Sequence, residues 1–192
     1  MKILVFAGSI RKDSLNWKLA RAAARRLGQA GLEVTLADLR DYPMPMYDGD
    51  IEAAGMPAEA RAFRELLKQH DAFVIASPEY NGSFSALLKN AIDWTSRRLL
   101  PDERPGTVFR GKVAALLSAS PGPNGGRRGL RHVTELLLML GMEVLPVQVS
   151  ISSAAEAFDE DGGLKRQEDA AALDRLAEAL EERVGTTAGI LR

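Results

Sequence analysis

Hydrophobic and polar positions follow one another along the chain in blocks that predict strands and helices in turn. Short, continuous apolar runs rich in Ile, Leu and Val predict buried strands, because a strand of a parallel sheet is covered on both faces. Apolar residues that recur every three or four positions predict amphipathic helices between them. Strands are predicted at Lys2–Ala7, Leu32–Ala37, Ala72–Ser77, Lys112–Ser118 and Glu143–Val149, and helices at Asn16–Leu27, Ala58–Gln69, Ala86–Arg97, Arg127–Leu140 and Glu168–Val184.

Polar and glycine- or proline-rich segments separate these elements. The longest is a proline-rich loop at Asp38–Pro57, and a loose Gly-Thr-Thr tail follows the last helix. Five strands alternating with five helices predict one open parallel sheet with helices on both faces. The 192 residues contain no internal repeat, so we expect a single domain over residues 1–192.

The composition excludes several classes of protein. The chain has no cysteine, which removes disulfides, thiolate metal sites and cysteine nucleophiles. Its 25 basic and 26 acidic residues give a net charge of −1, so no basic excess points to nucleic acid or to an acidic membrane surface. His70 and His132 lie far apart, and no metal site is expected. Because Ile3–Ala7 is too short for a signal-peptide core, and no run approaches the roughly 20 apolar residues of a membrane span, we expect a cytoplasmic protein.

Ligands of open parallel sheets bind at the carboxyl ends of the strands, near the point where strand order reverses. The loop after the first strand, Gly8–Asn16, combines the hydroxyls of Ser9 and Ser14, the guanidinium of Arg11 and the amide of Asn16 with the start of a helix. Unpaired N–H groups at a helix N-terminus favour a phosphate, and the arginine fork suits two phosphate oxygens. The loop is neither a Walker loop nor a dinucleotide fingerprint. The alternative is that Ser14 only caps the helix and Arg11 is solvated.

The loop after the third strand, Pro78–Ser85, is aromatic in an otherwise polar stretch. Tyr80 and Phe84 supply rings, and Asn81 and Gly82 tolerate positive φ, which turns backbone groups toward a ligand. This combination suits a flat ring with polar edges. The alternative is a β-turn whose Tyr80 packs on the core.

The glycine-rich loop after the fourth strand, Ser118–Gly126, permits close approach of the backbone to a ligand, but an ordinary crossover would have the same composition. Arg127 and Arg128 follow it at the start of a helix. They suit a ribose phosphate or, equally, plain solvation.

Two of these segments, together with the helical stretch that follows the second, resemble the NAD(P)H-dependent FMN reductase family, the flavodoxin-like group that includes chromate, quinone and azo-dye reductases. The resemblance extends over Lys2–Val149 and is weak in the final helix. The motifs are Gly8-Ser9-x-Arg11-x-x-Ser14-x-Asn16, then Ser77-Pro78-Glu79-Tyr80-Asn81-Gly82-Ser83, then Leu88-Lys89-Asn90-Ala91-Ile92-Asp93-Trp94.

The resemblance implies an α/β flavodoxin-like three-layer sandwich whose five-stranded parallel sheet has the order 2-1-3-4-5 and binds FMN non-covalently. It also implies a homodimer or homotetramer, and Trp94, Arg97 and Arg98 are predicted to contribute to the subunit contact. By motif position, the phosphate would be bound by Ser9, Arg11, Ser14 and Asn16, with Leu15 beside them; the isoalloxazine edge would be lined by Pro78, Glu79, Tyr80, Asn81 and Gly82; and Ser120 would close the other side.

One pair of residues departs from the family pattern. The family usually has a proline–glycine pair before the Leu-Lys-Asn stretch, and this chain has Ser85 and Ala86 there. We therefore expect the start of that helix, and the fine shape of the flavin pocket, to differ.

The activity that the resemblance implies is reduction of a small acceptor by NADPH or NADH through bound FMN, in a ping-pong cycle. The acceptor would be a flavin, a quinone, an azo compound or chromate. Because the cofactor carries the chemistry, no catalytic side chain is expected. Two alternatives stay open: a flavodoxin-type electron carrier without nicotinamide turnover, which a net charge of only −1 disfavours, and a regulatory module that senses flavin or nucleotide.

Overall fold

A five-stranded parallel sheet forms the centre of the protein. The computed structural model describes residues 2–190. The strand order confirms the predicted 2-1-3-4-5 arrangement, and all neighbouring strands of this sheet are parallel. The strands are β1 (Lys2–Ala7), β2 (Glu33–Ala37), β3 (Ala72–Ala76), β4 (Val113–Ala119) and β5 (Glu143–Ile151).

Helices cover both faces of the sheet, as the alternating pattern predicts. The side chains of β1, β3 and β4 are almost completely buried, because each of these strands has helices above and below it. One face packs against α1 and α6, and the other against α3, α4 and α5. The helices are α1 (Leu15–Gln29), α2 (Gly49–Ala54), α3 (Ala58–Lys68), α4 (Ala86–Thr95), α5 (Arg127–Met139) and α6 (Gln167–Ile190).

The predicted loop Asp38–Pro57 is more ordered than its prolines indicate. Its start is a turn of 3-10 helix, Leu39–Asp41, capped by the side chain of Asp38. Its end is the six-residue helix α2, where the Asp48 carboxylate accepts a hydrogen bond from the Asp50 N–H. Side-chain caps stabilise both short helices. Because each has six residues or fewer, neither shows the repeating apolar pattern that would have predicted it.

The predicted loop Pro78–Ser85 contains a small antiparallel hairpin of the strands Glu79–Tyr80 and Ser83–Phe84. Asn81 and Gly82 form its tip, with φ of 52° and 78°. The last helix also differs from prediction, since α6 continues through the predicted Gly-Thr-Thr tail to Ile190. Within residues 2–190, none of the helices has the length and apolar content needed to cross a lipid bilayer.

Candidate functional site

The loops that follow β1, β3 and β4 meet at the carboxyl edge of the sheet and enclose a cleft of about 480 Å³. All of the predicted site residues except Asn81 and Gly82 line it, and those two lie at the tip of the adjoining hairpin. The lining residues are Ser9, Arg11, Ser14, Leu15, Asn16, Pro78, Glu79, Tyr80, Ala119, Ser120 and Pro121.

The start of α1 gives the cleft its positive end. Ser14 is the N-cap, and its hydroxyl accepts a hydrogen bond from the Trp17 N–H at 3.2 Å. The N–H groups of Leu15 and Asn16 precede the first helical hydrogen bond and have no carbonyl partner within the helix. No acidic residue stands in the first turn of α1 to neutralise this end. Arg11 is exposed, and its guanidinium forms no hydrogen bond or ion pair with another described residue, so this group is available to a ligand.

The side chain of Asn16 does not point into the cleft as a free donor. Its amide nitrogen donates to the Ala119 carbonyl, and its oxygen accepts from the Ala119 N–H, both at 2.9 Å. The residue is only 4% exposed. Asn16 therefore fixes the start of α1 to the end of β4, and what it offers a ligand is its backbone N–H.

Glu79 connects the hairpin to α5. Its Oε2 accepts hydrogen bonds from the N–H groups of Arg128 at 3.0 Å and Gly129 at 3.1 Å. Gly126, the residue before α5, has no side chain to cap it, so the carboxylate of Glu79 takes that role. Tyr80, the next residue, is 52% exposed and lies beside the cleft. The ring of Tyr80 is thus available to a ligand and is not part of the core.

Gly126 of the third loop and Gly129 of α5 face protein atoms. A Cβ on Gly126 would lie 2.5 Å from the Ser118 hydroxyl, and one on Gly129 would lie 3.2 Å from the Ser83 carbonyl. These positions let α5 pack closely against β4 and the hairpin. Ser120 is the predicted residue of this loop that reaches the cleft, and its hydroxyl accepts a hydrogen bond from the Gly122 N–H at 3.2 Å.

Ser85 replaces the usual proline of the family and makes a specific contact. Its hydroxyl donates to the Gly8 carbonyl at 2.6 Å and accepts from the Leu88 N–H at 3.1 Å, so it caps α4. A Cβ on Gly8 would lie 2.8 Å from the Leu88 Cβ. The end of β1 and the start of α4 are therefore held close together by a glycine and a serine.

The predicted subunit contact is wrong for Trp94. This side chain is completely buried within its own chain and donates a hydrogen bond to the Pro45 carbonyl at 2.8 Å. The guanidinium of Arg97 lies over the Tyr47 ring, 5.4 Å from its centroid. Arg98 is exposed, and so are Arg127 and Arg128 at the start of α5.

Two lining residues, Ala119 and Pro121, were not predicted. Small and cyclic side chains carry no chemistry that would single them out, and only the strand-end position of Ala119 gave a signal. No group of His, Asp or Glu within the described chain is arranged to hold a metal ion.

A doubly wound parallel sheet of order 2-1-3-4-5, with a polar cleft where the strand order reverses, defines a flavodoxin-like α/β protein. A flavodoxin from the domain Archaea has the same fold, with a TM-score of 0.64, 15% identity and coverage of 96% of this chain and 99% of that one. More specifically, the chain belongs to the NADPH-dependent FMN reductase family, whose sequence model matches residues 1–156.

Individual relatives agree with this assignment. The chain is 41% identical over 165 residues to an NAD(P)H-dependent FMN reductase of Pseudomonas aeruginosa, which covers 85% of this chain and 84% of the relative. It is 35% identical over 163 residues to a quinone reductase of Pseudomonas putida, with 84% and 83% covered. The solved structure of FerB, a flavoenzyme NAD(P)H:(acceptor) oxidoreductase from Paracoccus denitrificans, matches with a TM-score of 0.77 and 31% identity over 94% of this chain and 97% of that one. The protein is an oxidoreductase of a family that uses FMN with NAD(P)H as electron donor.

Proposed function

We propose that this enzyme binds FMN in the cleft and transfers reducing equivalents from NAD(P)H to a small organic acceptor in a ping-pong cycle. The observation that carries the proposal is the pairing, in one cleft, of a cationic end that no acidic residue neutralises with an exposed aromatic ring. Arg11 and the start of α1 form the first, and Tyr80 forms the second.

The cationic end fits a phosphate monoester. The backbone N–H groups of Leu15 and Asn16 and the guanidinium of Arg11 would bind the phosphate oxygens, with the Ser9 and Ser14 hydroxyls beside them. Glu79 is the one acidic residue of the lining, and its Oε2 is already hydrogen-bonded to the start of α5. The phosphate would therefore meet little negative charge.

The hairpin end fits a flat ring with polar edges. The positive φ of Asn81 and Gly82 exposes backbone groups at the hairpin tip, and Pro78 and Tyr80 supply apolar surface. Ser120 and Pro121 close the opposite wall. These residues would hold the ring system of FMN.

The chain positions the reactants, whereas the chemistry belongs to the cofactor. When bound, FMN supplies the capacity to accept a hydride and to pass two electrons onward. None of the lining residues forms a pair of the kind that general acid–base or nucleophilic catalysis uses, such as a serine beside a histidine. Since both reactants would exchange electrons with the same bound ring, NAD(P)⁺ would leave before the acceptor enters, which is the basis of the proposed ping-pong order.

With a quinone as acceptor, the overall reaction would be a two-electron reduction. One hydride from NAD(P)H and one proton from solvent convert the quinone to its hydroquinone and release NAD(P)⁺.

The cytoplasmic location and the homodimeric or homotetrameric state stay predictions. Cell fractionation would test the location, and light scattering would test the oligomeric state.

An anaerobic absorption experiment tests the proposed function. The purified protein is mixed with FMN, desalted and then treated with NADPH or NADH. We expect a flavin band that is retained after desalting and bleached by the nicotinamide, and then restored by a quinone. A retained band that neither nicotinamide bleaches would favour an electron carrier instead. Loss of the flavin on desalting would contradict the assignment of the cleft.

A further inference from the structure

A second concave surface lies next to the cofactor cleft, between α4 and the segment at residues 39–44. This surface, which we call the side groove, encloses about 630 Å³. Most of its lining is aliphatic or aromatic. The lining residues are Ile10, Leu39, Arg40, Tyr42, Pro43, Met44, Leu87, Asn90 and Ala91.

The side groove adjoins the cofactor cleft through a third concave surface that shares lining residues with both. Ile10 and Leu87 also line an intermediate cavity of about 630 Å³, which passes over Gly8, Ser85 and Ala86. The far end of that cavity is lined by Ser9, Arg11 and Tyr80, and these three residues also line the cofactor cleft. A ligand with one end beside Tyr80 can therefore extend along the intermediate cavity into the side groove.

The polar side chains of the side groove are already engaged by protein groups. The Asn90 oxygen accepts from the Tyr47 N–H at 2.7 Å, and its nitrogen donates to the Pro45 carbonyl at 2.8 Å. The Arg40 Nε lies 3.0 and 2.9 Å from the two carboxylate oxygens of Asp38. Among the described lining residues, this leaves the Tyr42 hydroxyl as the one side-chain group without a protein partner.

A nucleotide or a sulfonated dye gains little from such a surface, because Arg40, the one cationic side chain of its described lining, is already paired with Asp38. Hydrocarbon suits it, because apolar surface gains free energy on leaving water and needs no partner. We propose that the acceptor is a quinone with an apolar side chain, whose head lies beside Tyr80 and whose chain lies in the side groove. This inference rests on the proposed function and narrows its acceptor class.

Chain length is the variable that tests the inference. Dimethoxy-methyl-benzoquinones with no side chain, a butyl chain and a decyl chain share one reducible head. We expect the Kd for the FMN-loaded enzyme, measured by calorimetry without NAD(P)H, to fall by up to about fourfold per buried methylene. The kcat/KM for the quinone, measured with saturating NAD(P)H, should rise with chain length as the Kd falls. The kcat/KM for the quinone without a chain is the basal value.

Met44 and Met46 provide matched variants in one segment. Met44 lines the side groove, whereas Met46 is 70% exposed and does not. We expect Met44→Ser to reduce the decyl-to-unsubstituted ratio of kcat/KM by at least fivefold, and Met46→Ser to leave that ratio unchanged. Both variants should keep the basal value. If Met44→Ser fails to fold, Leu87→Asn on the α4 wall carries the same expectation.

The outcomes separate the inference from the proposed function. A Kd that does not depend on chain length, or an equal ratio in the Met44, Leu87 and Met46 variants, would overturn the inference. A change of oligomeric mass in Met44→Ser by light scattering, with the ratio unchanged, would also overturn it and would assign the groove to a second copy of the chain. Failure of the proposed function would give a different result. The enzyme would turn over no quinone, although the Kd measured by calorimetry would still depend on chain length.

Discussion

The carboxylate of Glu79 lies within hydrogen-bonding distance of the Gly129 N–H, at 3.1 Å, although 50 positions separate the two residues in the sequence. The same oxygen also accepts from the Arg128 N–H. This contact fixes the hairpin that carries Tyr80 to the first turn of α5. A negative charge is stabilised there by the partial positive charge of the helix N-terminus. Glu79 thus orients the hairpin wall of the cleft.

We expect Glu79→Ala to lower the free energy of unfolding by about 1–2 kcal/mol, the usual contribution of a helix cap. FMN affinity should fall as well, because the hairpin loses its attachment. Glu79→Gln keeps an oxygen that accepts both N–H groups, so it should retain more than half of the unfolding free energy that Glu79→Ala loses. Urea unfolding and flavin titration measure the two effects. Equal losses in Glu79→Ala and Glu79→Gln would mean that the charge, and not the hydrogen bonds, is what matters.

Arg11→Ala should weaken FMN binding by a factor of about 10–150, since a hydrogen bond to a charged group contributes about 1.5–3 kcal/mol. Arg11→Lys should give an intermediate loss, because an ammonium group does not form the two-pronged contact. Lys12→Ala is the matched control: Lys12 is the next residue, and it is also exposed, but it does not line the cleft. Riboflavin, which has no phosphate, should bind Arg11→Ala and the unchanged protein equally, and a parallel loss for both ligands would refute the phosphate assignment.

Gly8 and Gly28 are expected to respond to alanine with opposite signs. A Cβ at Gly8 would lie 2.8 Å from the Leu88 Cβ, an atom that cannot move without α4, so Gly8→Ala should destabilise the fold and separate α4 from β1. Gly28 lies within α1 and has no atom within 4 Å of the added Cβ, so Gly28→Ala should stabilise by up to about 1 kcal/mol. Thermal unfolding of the two variants compares them directly. Stabilisation of Gly8→Ala would contradict the close packing of β1 on α4.

Arg64 and Glu103 form an ion pair at 2.5 Å that anchors the segment after α4, and the Arg64 side chain is only 2% exposed. The Leu99 N–H, together with Arg64, holds the pKa of Glu103 below its ordinary 4.5. Glu103→Gln leaves Arg64 buried with a weaker partner and should cost about 3 kcal/mol at neutral pH. Because the folded-state pKa is the lower one, the contribution of Glu103 is complete above pH 4.5 and is lost as the pH falls through the folded-state pKa.

The difference in unfolding free energy between the unchanged protein and Glu103→Gln should therefore shrink below about pH 4.5, in urea titrations at several pH values. Asp102→Asn is the control, since Asp102 is the exposed neighbour of Glu103. Its effect should be small at every pH. A difference for Glu103→Gln that stays constant into the acid range would show that the carboxylate charge does not act on Arg64.

The sheet was predictable because each of its inner strands is apolar on both faces, a pattern that few other structures produce. The same reasoning placed Arg11 and Tyr80 at one edge, because strand ends and loop composition are local features. The structural use of Asn16 was not predictable, since its partner Ala119 is 103 positions away. An amide after a helix cap looks the same in sequence whether it faces a ligand or a distant strand.

Trp94 illustrates a second limit. An apolar stripe on a helix predicts burial, but whether the covering surface belongs to the same chain or to a partner depends on the loop before it. Here the segment around Pro45 folds over α4 and accepts the indole hydrogen bond. That segment also forms a wall of the side groove through Met44. The methionines and prolines that make it resemble a plain loop are what give the groove its apolar wall.

Three contacts fasten the loops around the cofactor cleft, and all of them join protein groups: Asn16 with Ala119, Ser85 with Gly8, and Glu79 with the start of α5. The conformational entropy of these loops is therefore lost when the chain folds and not when a ligand arrives. The protein without flavin should keep protected backbone amides in this region during hydrogen exchange. The cleft would then bind FMN without first having to order its walls, so that more of the contact free energy would be retained as affinity.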